Sequence, residues 1–319
     1  MFSYIVRRTL QALPILFGVA VIVFMIVQLA PGSPIDRFRT PRISPAQLDA
    51  LIRLYGLDQP ILDQFVKWIT AFVQVWRVDA WGYSFLDGQP VLNKVLERVP
   101  ATVRLMGAAL LTTIVLAVPI GVLAAVKQYS WTDKLITTLA TIGYAIPSFI
   151  LGLYLLYFGG VVLKAFPLFG MQSFGKSGDV ADLIWHLVLP VASLAIQQIA
   201  GWARYMRSSM LEVLHQDYVR TAKAKGLPRS RVLGKHALRN AMIPIITLLG
   251  LSIPALLAGA AITETIFSYP GLGAMFVQSV TVRDYPTVLA LTMVGGVTVV
   301  VGNLLADVLY GVVDPRIKY

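Results

Sequence analysis

The chain has 319 residues, 57% hydrophobic and only 13% charged, with 27 basic against 16 acidic residues and a net charge of +11. Soluble domains carry about 25% charged residues, so this composition excludes an ordinary soluble globule and points to a membrane. Cysteine is absent, which excludes disulfides, thiolate chemistry and cysteine-bound metals.

Six uncharged apolar runs follow in chain order, at about residues 10–30, 105–126, 135–163, 183–203, 241–263 and 286–306. Each can cross about 30 Å of hydrocarbon at 1.5 Å per residue. Open strands would leave unpaired backbone groups in lipid, so the predicted fold class is all-α, a polytopic bundle of six transmembrane helices. The first run follows Arg7-Arg8 but exceeds the roughly 7 to 15 apolar residues of a cleaved secretory signal, and it reads as a retained helix. Pro14, Pro119, Pro147, Pro190, Pro244 and Pro254 fall inside the runs and either kink their helices, the favoured reading, or mark broken ones.

Residues 31–100 are the one long polar connection and predict an external subdomain inserted into a single domain. Within it, Ser44-Pro45-Ala46-Gln47 places a capping hydroxyl, a proline at the first helical position and a glutamine at the third; Gly56 can close the helix. A helix over Pro45–Tyr55 follows. Beyond Pro60, Ile61, Phe65, Ile69, Phe72 and Trp76 recur every three or four residues, an apolar face for the membrane surface or for the chain's own bundle. Trp185 and Trp202, near opposite ends of the fourth run, fit an aromatic belt. The late loop from Glu264 to Gly273 joins a Pro-Gly turn to aromatic residues and reads as an interfacial turn, as a segment dipping towards a pathway, or as a seal on its outer mouth.

If six helices alternate, Arg7, Arg8, Lys127, Lys134, the loop 204–240, Arg316 and Lys318 all fall on one side. That asymmetry predicts both termini in the cytoplasm and accounts for the basic charge without nucleic acid. The loop 204–240 holds nine basic residues: Arg204, Arg207, Arg220, Lys223, Lys225, Arg229, Arg231, Lys235 and Arg239. Met210, Leu214, Tyr218 and Ala222 repeat every four residues and, with Leu211, predict an apolar stripe on a helix continuing out of the fourth run. Lys223 and Lys225 suit the carbonyl end of that helix, Gly226 its left-handed cap, and Pro228 its stop. A second helix over about Arg229–Asn240 completes a rigid cytoplasmic knob, whose stripe needs a surface to cover it.

Catalytic chemistry finds no footing. There is no glycine-rich phosphate loop of the Gly-x-x-x-x-Gly-Lys-Ser/Thr kind and no Gly-x-Ser-x-Gly elbow, and His215 and His236 lack the spacing of common zinc motifs. Within the six runs His186 is the only side chain titrating near neutrality, which argues against an ion-coupled carrier. No catalytic residue, metal or bound cofactor is predicted; the chain reads as a non-enzyme.

At the basic loop the chain resembles the permeases of ABC importers. Asp217-Tyr218-Val219-Arg220-Thr221-Ala222-Lys223-Ala224-Lys225-Gly226 and His236-Ala237-Leu238-Arg239-Asn240-Ala241 are similar to the loop of the B-type subunit in the dipeptide, oligopeptide and nickel branch. The wider family's Glu-Ala-Ala is here Arg220-Thr221-Ala222. Leu29-Ala30-Pro31-Gly32, Tyr55-Gly56-Leu57-Asp58-Gln59-Pro60, Arg98-Val99-Pro100-Ala101-Thr102, the stretch Glu264 to Gly273, Arg283-Asp284-Tyr285-Pro286 and Asp314-Pro315-Arg316 extend the resemblance along nearly the whole chain.

The resemblance implies a type I ABC importer permease in a bacterial or archaeal cytoplasmic (inner) membrane. Its partners would be a homologous C-type permease, two ABC ATPase subunits carrying ATP and Mg, an external substrate-binding protein and membrane lipid. It implies an ATPase-coupling site at Asp217, Tyr218, Arg220, Ala222, Lys223 and Gly226, with Tyr218 and Ala222 packed into the ATPase and Arg220 and Lys223 at the rim. Peptides are the implied substrate, with nickel chelates, glutathione or oligosaccharides as alternatives.

Overall fold

A computed structural model describes residues 2–29, 44–254, 256 and 259–313. Ala30-Pro31-Gly32, the Asp314-Pro315-Arg316 stretch and Lys318 lie outside the described residues. Among those described, the chain is helical without strands, apart from one isolated bridge between Tyr83 and Pro90. It divides into two compact units, Met1–Pro100 with Met275–Val300, and Ala101–Ala274 with Val301–Tyr319.

Four described helices are long and apolar enough to cross a membrane singly: Phe2–Leu29, Val91–Val126, Val180–Leu214 and Tyr285–Val313. They outrun their apolar stretches because hydropathy marks the hydrocarbon and not the helix end. Asn93, Lys94, Glu97 and Arg98 are helical yet polar.

The third and fifth runs differ from simple spans. Trp131–Ala145 and Ser148–Val162 meet at a bend of 98°, so Pro147 marks a broken helix, the less favoured of the two readings of these prolines. Pro147 drives Ile146 out of the helical region to ψ 122°, and the next helix starts afresh after it. The fifth run divides into Ile243–Ser252 and Ala261–Ile266, with a turn at Ile253 and Pro254; residues 255, 257 and 258 lie outside the described set.

In the first unit helices Pro45–Leu54 and Ile61–Phe72 form where the residues predict. Ser44 and Gln47 exchange both capping-box hydrogen bonds, and Gly56 adopts φ +65°. The predicted apolar face packs only in part. Phe65 and Trp68 meet Phe24 at 5.3 and 5.7 Å between ring centres, whereas Ile61 and Trp76 are exposed, Trp76 because the helix stops at Phe72. Buried Asp284 accepts hydrogen bonds from the Phe85 N–H at 2.8 Å and from the Ser84 and Thr287 hydroxyls.

In the second unit the core is built on Val180–Leu214. Met206 and Met210 are wholly buried against Ala117, Ala125, Ala203 and Ile245. Lipid is as apolar as leucine, so spanning helices associate through close packing of small residues rather than through water exclusion. Gly121 illustrates this: a Cβ there would stand 2.6 Å from the Ala203 carbonyl oxygen. Trp202, expected in an aromatic belt, lies inside this core instead, while Trp185 is exposed beside Phe166. His186 donates from Nδ1 to the Asp182 carbonyl at 2.8 Å, a structural role.

The Glu264–Gly273 loop folds back onto the chain, with Glu264, Phe267, Tyr269 and residues 271–273 buried and Thr265 and Ser268 exposed. The Glu264 carboxylate accepts from the Thr102 hydroxyl at 3.1 Å and the Ala274 N–H at 2.9 Å, and the Thr102 oxygen accepts from the Leu272 N–H at 2.7 Å. A Cβ at Gly271 would collide with the Glu264 carboxyl group and displace it from its hydrogen bonds to Thr102 and Ala274. Burial pushes the neighbouring Tyr269 phenol up to about 12.

Candidate functional site

The basic loop is an elbow of two short arms. Helix Val180–Leu214 stops at His215, whose Nδ1 bonds the Leu211 carbonyl at 2.7 Å, and Gln216 is extended at ψ 147°. The first arm, Asp217–Ala224, then starts a new helix. This break overturns the predicted continuous stripe. Interrupting the helix resets its phase, so the buried face joins Met210 and Val213 to Val219 and Ala222, while Tyr218 turns outward and is 43% exposed.

Val219 at 0% and Ala222 at 5% exposure are seated in the chain's own core with Val232, Ala237 and Ala241. Ala222 is therefore covered from within and cannot present its methyl to an ATPase. The apolar stripe needs no outside partner. What remains on the surface is charge: Arg220, Lys223, Lys225, Arg229, Arg231, Lys235 and Arg239 are all exposed, against Asp217 on the same arm. Asp217 and Arg220 pair at 3.6 Å while both stay in solvent, an interaction worth about 0–1 kcal/mol.

Gly226 closes the first arm as predicted, with φ +74° and its N–H on the Lys223 carbonyl at 3.0 Å. Pro228 follows, and its carbonyl receives the N–H groups of Arg231 and Val232. The second arm runs through Arg229–Arg231, a π-helical turn Val232–Leu238 and Arg239–Ala241, one residue beyond expectation. The wider π turn brings Val232 and Ala237 together into the core. Asn240 Nδ2 donates to the Tyr218 hydroxyl at 2.9 Å and ties the arms together.

A second anchor was not singled out from sequence. Arg207 donates from Nε and Nη2 to both carboxylate oxygens of Asp133, at 2.7 and 2.8 Å, with Asp133 buried. Asp133 is itself set by the helix start, where the Ser130 hydroxyl accepts from its N–H. The detectable signal was Ser-x-x-Asp, a capping pattern, beside a lone acid among basic residues. A shallow cationic hollow of about 470 Å³ adjoins the elbow, bordered by Gln128, His215, Arg220 and Lys223. Among the described residues no three histidine or acidic side chains gather as a metal site.

Two regions match known families end to end: residues 117–319 match the binding-protein-dependent transport system inner membrane component, and residues 1–106 its N-terminal membrane component. The chain belongs to this family. This permease is 44% identical, over all of both chains, to the oligopeptide transport system permease protein AppB of Bacillus subtilis. It is 37% identical to the dipeptide transport system permease protein DppB of Escherichia coli K12, covering all of this chain and 99% of that one. To the glutathione transport system permease protein GsiC of Shigella flexneri it is 35% identical over the whole of both. Among solved structures, an inward-facing conformation of the MetNI methionine ABC transporter aligns over 70% of this chain and 98% of that one. Its TM-score is 0.57 at 16% identity, a likeness of fold.

Proposed function

We propose that this chain is the B-type permease half of an ATP-driven importer, forming part of the pathway for di- or oligopeptides handed over by an external binding protein. The observation that carries this reading is the cationic elbow: an exposed charged face seated by a buried core on the long helices. A structure of that kind passes movement from a soluble partner to membrane spans. Full-length likeness to permeases named for oligopeptides and dipeptides supports the substrate class.

The partners are a homologous C-type permease, two ATPase subunits on the cytoplasmic face and the external binding protein. ATP and Mg are held by the ATPases; hydrolysis is their chemistry. Asp217, Tyr218, Arg220 and Lys223 form the face that meets an ATPase, and Gly226 sets the angle of the arm. Ala222 acts from beneath, with Val219, by fixing the arm to Met206 and Met210. When the motors close, the elbow moves with helix Val180–Leu214 as one body, because Val219, Ala222, Val232 and Ala237 share one buried core with Met206 and Met210; the Asp133–Arg207 pair carries that motion on to helix Trp131–Ala145.

Both termini and the elbow lie in the cytoplasm in this reading. The natural absence of cysteine allows a clean test with Lys223→Cys in the assembled transporter. A membrane-impermeant maleimide is expected to spare this position in intact cells and to modify it in inverted vesicles stripped of ATPases. Modification in intact cells would overturn the orientation. Likeness to the glutathione permease favours one second reading, a tripeptide thiol as cargo. Competition of labelled peptide uptake by glutathione separates the two.

A further inference from the structure

A cavity of about 800 Å³ lies within the unit formed by Met1–Pro100 and Met275–Val300. Its size and its mixed aliphatic and aromatic walls are those of a small-molecule site. Its depth in the membrane follows from two helices that line it. Gln28 is the first polar side chain after Gln11 on helix Phe2–Leu29, so it marks a membrane boundary, and Phe24 stands about 6 Å deeper in the hydrocarbon. Tyr285 immediately precedes the last apolar run, and Leu289 lies about 6 Å beyond it. The cavity is thus apolar on the hydrocarbon side, at Phe24, Trp68 and Leu289, and polar at the rim, at Gln28, Lys67 and Tyr285.

One rim group is left without a charged partner. Exposed Lys67 bonds the Gln59 side-chain carbonyl and forms no ion pair among the described residues. Gln28 and Gln64 are held to each other at 3.1 Å, which keeps the rim open beside Lys67.

We propose that this cavity holds one anionic glycerophospholipid from the leaflet at the C-terminal end of the first helix. An acyl chain lies against Phe24, Trp68 and Leu289, and the phosphate sits beside Lys67. The grading from hydrocarbon depth to headgroup level fits an amphiphile of the bilayer better than a soluble peptide, which has no reason to reach an apolar floor there.

Trp68 reports occupancy directly. The assembled transporter is reconstituted into vesicles with acyl-brominated phosphatidylglycerol or phosphatidylcholine, and the emission of Trp68 is isolated by difference from Trp68→Phe. Quenching is expected at about a fivefold lower fraction of the anionic lipid, the preference one lysine near a headgroup supplies. Lys67→Gln should abolish that preference, and Ala71→Phe, which adds a ring at a lining position one turn from Lys67, should reduce quenching by both lipids. Equal quenching by the two lipids, or none, overturns the proposal. So does displacement of the brominated lipid by inorganic phosphate or by a soluble aromatic tripeptide, which assigns the cavity to that ligand instead.

Discussion

Gly226→Val tests whether the angle of the elbow, as distinct from its charge, carries movement to the spans. Gly226 holds φ +74°, while a Cβ placed there would meet nothing within 4 Å. The cost of a side chain is therefore conformational and not steric. A left-handed residue costs about 1–2 kcal/mol for an ordinary L side chain, more when β-branched, and little for asparagine. One to two kcal/mol moves the balance between the closed and opened turn about 5- to 30-fold. Opening releases the Gly226 N–H from Lys223 and the Leu227 N–H from the Ala222 carbonyl, and so frees the cationic face from its seat. The assay is the number of peptides delivered per ATP hydrolysed in proteoliposomes carrying the whole transporter and its binding protein. The expected order is glycine and asparagine highest, alanine intermediate, valine lowest, with equal amounts inserted in the membrane. A Gly226→Val transporter with the wild-type ratio refutes the role of the turn. Gly226→Asn as damaging as valine refutes the conformational argument, because the surrounding space is empty.

The Asp133–Arg207 pair should matter more to stability than any exposed elbow charge. Asp133→Asn leaves the guanidinium without its carboxylate and is expected to cost about 2–3 kcal/mol, read as a lower thermal unfolding midpoint; Arg207→Lys loses the bidentate geometry and should fall between. A midpoint unchanged in both would show that the pair is dispensable. In the buried loop, Gly271→Ala forces a methyl to within 2.4 Å of the Glu264 carboxyl carbon, so folded yield should drop severalfold, with partial recovery in the double variant Gly271→Ala with Glu264→Ser, which frees the space. Equal yields for wild type and Gly271→Ala would contradict the close packing drawn here.

Membrane class, helical content, the Ser44–Gln47 capping box and the Gly226 cap were all legible from residue order, because each rests on spacing within about a dozen residues or on hydrophobic length. Ser44 and Gln47 bond each other wherever their helix is carried, and a left-handed glycine before Leu-Pro ends a helix locally. Family membership, too, lay in strings of adjacent residues.

Tertiary structure alone decided what those elements touch. The stripe drawn through Met210, Leu214, Tyr218 and Ala222 assumed one helical phase, yet a single extended residue at Gln216 rotated everything after it and exchanged Tyr218 for Val219 in the core. Pro147 looked like the other prolines until its neighbours broke the span by 98°. Asp133 finds Arg207, and Glu264 finds Thr102, across separations no periodicity encodes. Hydrogen bonds and apolar runs along a helix depend on neighbours in sequence, whereas packing depends on which distant side chains share the same space.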